Sequence, residues 1–178
     1  MKKILTACAS VLLILSMSGC MTAPPAETGE KPSAEATSRA PAEKEATLTV
    51  YKVSSDAFHL VPVSVTVAAG NKTPKTALEK MIAADRKEKY PLLPEGLSVK
   101  YVDVKDNTAV IDFSRELEHL EKGSTTEQLF IMMSVNTLTE FPNIKQVSFL
   151  MEGKPITHLS GHYDMTKPFK RDESYIQK

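Results

Sequence analysis

Cysteine is scarce in this chain of 178 residues. There are two, Cys8 and Cys20. The chain after Cys20 has none, which excludes a disulfide framework, a thiolate metal site and a cysteine nucleophile from the body of the protein. Tryptophan is absent, and no aromatic platform for stacking on sugars is visible. The 7 glycines form no phosphate-binding loop, and there is no G-x-S-x-G nucleophile motif. Neither charge sign dominates. With 22 basic and 22 acidic residues there is no electrostatic case for nucleic acid as a partner. What remains is a hydrophobic content of 42%, enough for one domain with a core of its own.

The N-terminus carries the first positive signal. Lys2 and Lys3 precede the apolar run "ILTACASVLLILSM" and then "SGC". The run is shorter than the roughly 20 residues of a membrane span, so residues 1–19 read as a secretory signal peptide. "MSGC" at 17–20 resembles the bacterial lipobox, in which small residues precede a cysteine that is diacylated with palmitate-type chains. Cys20 is therefore the expected lipidation site and new N-terminus. Residues 20–46 are rich in Pro, Ala, Glu and Ser with almost no large apolar side chain, which predicts a disordered tether. Loss of Lys2 and Lys3 leaves a slight negative charge, so net charge alone predicts no pull towards anionic lipids and leaves anchoring to the acyl chains.

Residues 47–172 read as the folded domain. "TLTVYKV" (47–53) is a strand, "SSD" a turn, and "FHLVPVSVTV" (58–67) an alternating strand with Val61, Val63, Val65 and Val67 on one face. Pro62 within it demands an edge position. Residues 73–86 predict a helix with Thr73 as N-cap, Pro74 in the first turn, and a stripe of Ala77, Leu78, Met81 and Ile82. Strands follow at 97–104 and 108–114 around a "KDN" hairpin. "STTE" at 124–127 fits a capping box that opens a second helix running to about Phe141, before Pro142. This helix is apolar nearly all round and should be deeply buried, with Met132 and Met133 as core filler. A last hairpin pairs 144–151 with 154–159 through Glu152-Gly153. The order β-β-α-β-β-α-β-β indicates an α+β fold, two helices packed on a mixed or antiparallel sheet. Residues 173–178 are left as a C-terminal tail.

Three blocks carry a family resemblance: "LLPEGLSVKYVDVKDNTAVIDFS", "VNTLTEFPNIKQVSFLMEGKPI" and "GHYDMTKPFKRD". They resemble, in order, the GerMN domain of sporulation and spore-germination proteins, over 47–172. The resemblance implies a fold similar to the ring-building motif of secretion-system proteins, whose helix-strand-strand-helix-strand order matches 73–151. It implies no catalytic set and no cofactor. The motif positions Asn136, Gly153, Gly161, Asp164 and Arg171 are then fold determinants.

One stretch competes with that reading. "HLSGHYD" (158–164) offers His158, His162 and Asp164 as an alternative metal set for a hydrolase. In an extended strand His158 and His162 would lie about 13 Å apart, whereas two nitrogens on one zinc lie about 3–4 Å apart. A two-residue turn at 152–153 also pairs Phe149 with Ile156 and Val147 with His158, which predicts a half-buried histidine. Gly161 then ends the strand and Asp164 caps the turn "DMTKP". The acids of "ELEHLE" (116–121) read as a solvated turn rather than a glycan-cleaving pair. The reading that follows is a non-enzymatic lipoprotein on the outer face of the cytoplasmic membrane, or in an outer membrane if the source has one. Its partners are the membrane, through its lipid, and envelope proteins or copies of itself. The alternative is a module binding cell-wall peptidoglycan, or an accessory cell-wall enzyme.

Overall fold

The computed structural model describes residues 44–177. The signal peptide, Cys20 and most of the tether lie outside the described residues. Strand β1 (Glu45–Val53) pairs antiparallel with β2 (Leu60–Ala68), from Glu45 opposite Ala68 to Val53 opposite Leu60. Asp56 fixes the turn between them, accepting from the backbone of Phe58 at 2.8 Å and meeting His59 Nδ1 at 2.7 Å. Pro62 sits opposite Tyr51. The Tyr51 amide donates to Thr137 Oγ1 at 3.1 Å, away from β2, so this pair exchanges no ladder bonds. The missing N–H of Pro62 therefore costs nothing there, as the edge position requires.

Helix α1 (Pro74–Asp85) begins as its sequence predicts. Thr73 Oγ1 accepts from the Thr76 amide at 3.1 Å, and Pro74 takes the first helical position. The buried side is the predicted stripe of Ala77, Leu78, Met81 and Ile82, extended by Asp85. Strands β3 (Val99–Lys105) and β4 (Thr108–Phe113) form a hairpin. Its two turn residues, Asp106 and Asn107, have φ of 49° and 59°, the left-handed pair that matches strand twist. Helix α2 (Ser124–Leu138) crosses over to β5 (Gln146–Met151), which runs parallel to β4 with Ile111 opposite Phe149.

Several expectations are corrected. The strands form two sheets rather than one: β1-β2 alone, and a five-stranded mixed sheet built on β3-β4-β5. Gly123, not Ser124, precedes α2, and no side chain caps it. Glu127 is drawn into the interior instead of folding back on the cap. The helix also ends at Leu138, three residues before Phe141. The last hairpin is short, because β6 is only Lys154–Pro155. One further amide bond follows, Ile156 N to Phe149 O at 3.1 Å, and the chain then leaves the sheet. The slot beside Val147 belongs to Phe169, in strand β7 (Phe169–Lys170), and His158 is exposed. The reason is size and apolarity. Phe169 packs edge-on to Phe149 with centroids 5.9 Å apart, a contact that His158 would replace with a polar ring.

The core is centred on α2. Residues 129–138 are all buried, Met132 and Met133 among them, and α2 touches β1, α1, β5 and β7. Phe130 stands between Phe113 and Phe149, at 5.5 and 5.7 Å. The C-terminal residues, expected as a tail, return to the fold. Gln177 donates to Leu60 O at 2.8 Å, and Tyr175 and Ile176 pack on the core.

Candidate functional site

The segment 156–168 connects β6 to β7 and meets α2 at Glu127, and it contains the candidate ligands. His162 faces α2. Both its backbone N–H and its Nδ1 meet Glu127 Oε2, at 3.2 and 3.1 Å. Glu127 is completely buried, and its Oε1 has no hydrogen-bond partner among the described residues. Asp164 turns the other way. Its Oδ1 accepts from the Thr166 hydroxyl at 2.5 Å and from the Thr166 amide at 3.0 Å. The hydroxyl bond, then the amide bond, hold this carboxyl below the usual aspartate range. That is the turn cap expected for "DMTKP". Gly161, with φ of +88°, lies in a loop and ends no strand. Among the described residues no group of three or more His, Cys, Asp or Glu side chains converges to hold a metal ion.

A side chain as exposed as His162 is ordinarily of little consequence to stability. Its bond to Glu127 changes that. His162→Ala removes a partner from a buried carboxylate and should cost about 1–3 kcal/mol, read from chemical denaturation. Chelation with EDTA should leave the midpoint of the unmodified protein unchanged; a fall in that midpoint would reinstate the metal reading.

A second polar cluster lies where β7 ends. Arg171 reaches five groups from three parts of the chain. Its Nη1 meets Glu140 Oε1 at 3.0 Å, Asn136 O at 3.1 Å and Thr139 Oγ1 at 3.3 Å. Its Nη2 donates to Tyr51 Oη at 2.9 Å, and its Nε lies 3.2 Å from Glu173. The guanidinium also sits 5.6 Å from the centre of the Tyr51 ring. Tyr51 donates in turn to Glu140 at 2.8 Å, and burial raises its phenol above the ordinary tyrosine range. Beside this cluster, Asn136 is fully buried and brackets Asp172. It donates to Asp172 O at 3.0 Å and accepts from Asp172 N at 3.2 Å. Asn136 and Arg171 thus tie β7 to α2 and β1.

The buried carboxylates tell the same story. Asp85 accepts from the amides of Leu92 and Leu93 at 3.1 and 2.9 Å, pinning the loop after α1. Its carboxyl is raised by burial, against the pull of those two amides. Asp112 accepts from Gly153 N at 2.9 Å and so holds the β5–β6 turn. Asp85, Asp112 and Glu127 each accept from at least one backbone amide. Sequence reasoning missed Asp85 and Glu127. Asp85 carried a usable signal, since it falls on the apolar stripe of α1. Of the acids of 116–121, Glu116 and Glu118 lie on a 3-10 turn over Arg115–His119 and Glu121 follows it, with Glu118 and Glu121 exposed. Two of the open grooves among the described residues bear on the reading. One of about 470 Å³ is lined by Val53, Lys89, Tyr90, Leu92, Glu121 and Leu129, and Glu121 is its sole carboxylate. The other, about 450 Å³, lies between β2 and α1.

Comparison with known proteins places this geometry. A family model named Germane, described as sporulation and spore germination, matches residues 49–157. No curated protein matches the chain. Among solved structures, the tandem GerMN domains of the sporulation protein GerM from Bacillus subtilis match with a TM-score of 0.61 at 21% identity. That match covers 71% of this chain but 46% of the tandem protein, so the chain spans about half its length. The first GerMN domain of the same protein matches with a TM-score of 0.53 at 20% identity, over 72% of this chain and 98% of that domain. A protein of Clostridium perfringens assigned as a lipoprotein matches with a TM-score of 0.50 at 21% identity, over 73% of this chain and 89% of that one. These likenesses fix the fold, α+β of the GerMN kind. The family match extends over more than half of the sequence, and the chain belongs to the Germane family of sporulation and spore-germination proteins.

Proposed function

We propose that the protein is a non-enzymatic envelope lipoprotein. Its GerMN domain, held at the outer face of a membrane by acylated Cys20, assembles with copies of itself or with other envelope proteins in sporulation or spore germination. The observation that carries this reading is the use to which the domain puts its acids. Asp85, Asp112 and Glu127 each accept from a backbone amide, and none of the three lines either of the two grooves described above. The family match supports a role in sporulation or spore germination. The Clostridium perfringens relative, assigned as a lipoprotein, supports the anchor, and so does the "MSGC" sequence ending at Cys20. Among the described residues no helix is long and apolar enough to cross a membrane. Tethering also explains how weak contacts suffice, because confinement on a short linker raises effective concentration towards about a millimolar.

The test is in-cell photocrosslinking from exposed positions on α1 and α2, comparing the natural chain with Cys20→Ser. The natural chain should give discrete adducts, and Cys20→Ser should accumulate as uncleaved precursor and lose them. Absence of any adduct, combined with tight binding to purified peptidoglycan, would replace assembly with a glycan-binding role.

A further inference from the structure

We infer that the outward face of α1 is a membrane-resting surface, built to lie against a bilayer rich in anionic phospholipid. The inference rests on the lipid anchor only for bringing the domain to the bilayer; the face itself is argued from the fold. Charge that is balanced over the whole chain is not balanced in space. Burial of Ala77, Leu78, Met81 and Ile82 turns Lys75, Glu79 and Ala83 outward along one side of α1, and Lys87 is exposed just past its end. Lys72 precedes the helix, and Lys89 follows it. The acids of this stretch are largely spent. Asp85 faces inward to the amides of Leu92 and Leu93, and Glu88 is bound to Lys52 at 2.6 Å. Glu79 lies 3.8 Å from Lys75. Among the described residues Lys72, Lys80, Lys87 and Lys89 have no carboxylate within ion-pair distance.

Three further observations give this basic face the character of a bilayer contact. Lys80 and Lys87 border the groove of about 450 Å³ whose apolar lining includes Val63, Val65 and Ala84, so cations stand over hydrocarbon-like surface. At the far end of the face Tyr90 is 81% exposed, with Lys89 Nζ 5.2 Å from its ring centre. Phe58, 67% exposed, follows Ala57, which lines one groove with Lys89 and Tyr90. Exposed aromatics flanked by lysine suit the headgroup layer, where a ring is half in hydrocarbon and half in water. At the near end the chain leaves towards Cys20. The Ala69 amide donates to Lys44 O at 2.6 Å, a few residues before α1 begins at Pro74. About 24 residues separate Cys20 from Lys44; a random coil of that length would span about 25–30 Å root-mean-square, enough for an anchored domain to reach the bilayer with this face. Each lysine brought near an anionic surface multiplies partitioning about fivefold, and salt screens the gain.

The test uses the full-length acylated protein on vesicles of phosphatidylcholine, with and without an equal part of phosphatidylglycerol. Lysine acylation by a water-soluble reagent is then read residue by residue by mass spectrometry. Lys80 and Lys87 should react at least about threefold more slowly on the anionic vesicles, with Lys105, Lys145 and Lys154 unchanged, and 1 M salt should abolish the difference. Equal rates at all five lysines on both vesicles, or equal slowing of both groups, would overturn the inference. So would the same protection on neutral vesicles given soluble polyphosphate, which would assign the face to a soluble polyanion. Lys80→Glu with Lys87→Glu should return the labelling of Lys72 and Lys89 to its neutral-vesicle rate; persistent protection would also overturn it. Failure of the anchor reads differently. A chain that floats away from neutral vesicles but stays on anionic ones, with the expected footprint, removes the lipid and keeps the face. A chain retained on both with an unchanged footprint does the reverse.

Discussion

Replacing Phe130 by alanine should destabilise the domain by about 3–5 kcal/mol, and thermal denaturation should show a fall in Tm of about 10–15 °C. Phe130 is fully buried at the middle of α2, between Phe113 of β4 and Phe149 of β5. Its removal empties the junction of three aromatic rings, and the surrounding strands cannot close the space because each is held in the parallel β4-β5 ladder. No cysteine lies in the folded region to supply a covalent staple, so the loss falls on a total stability of only about 5–15 kcal/mol. Phe130→Leu keeps most of the volume and should cost under about 1.5 kcal/mol. A change below about 1 kcal/mol for Phe130→Ala would mean that α2 does not fill the space between β1 and the five-stranded sheet.

Asn136→Ala should cost about 2–3 kcal/mol, with a local signature that a generic core change lacks. Asn136 is fully buried and supplies the only side-chain hydrogen bonds, among the described residues, to the backbone of Asp172. Without it the Asp172 N–H and C=O lose their side-chain partners, and the segment depends on Arg171, on the pairing of β7 with β5 and on the packing of Tyr175 and Ile176. Amide exchange over 169–177 should therefore accelerate more than exchange in β3 and β4. Asn136→Asp should be at least as damaging. It keeps an acceptor for the Asp172 amide but loses the donor, and it buries a carboxylate against the Asp172 carbonyl oxygen. Uniform acceleration across both sheets would show that Asn136 stabilises α2 rather than the C-terminal segment.

Much of this architecture was written into short stretches. Asp106, Asn107 and Gly153 take positive φ because residues tolerant of that conformation stand between strand-forming runs, and Glu152 shares it in the second turn. Thr73 and Pro74 start α1, and the spacing of Ala77, Leu78, Met81 and Ile82 selects its buried side. Pro62 excludes an interior strand. The nearly unbroken apolarity of 129–135 announces a helix with no solvent face. Each is a decision among residues a few positions apart, where sterics and hydrophobic period act without reference to the rest of the chain.

The candidate site was legible only in part, because its residues are placed by competition between distant segments. His158 stands at the register position that a longer hairpin would set opposite Val147, yet Phe169 takes that slot. Nothing local to either residue decides between them. The outcome follows from burying a phenyl ring on Phe149 instead of an imidazole. Glu127 has the spacing of a capping box, but His162, 35 positions away, offers it two donors inside the fold. Arg171 has only mixed charge around it in sequence, and it acquires a role when Tyr51, Asn136 and Glu140 converge on it. The sequence by itself determined the elements and the sides they bury, because those depend on local backbone chemistry. The tertiary structure alone decided which polar groups meet, because a buried carboxylate or amide is satisfied by whichever donor or acceptor the packed core brings within about 3 Å.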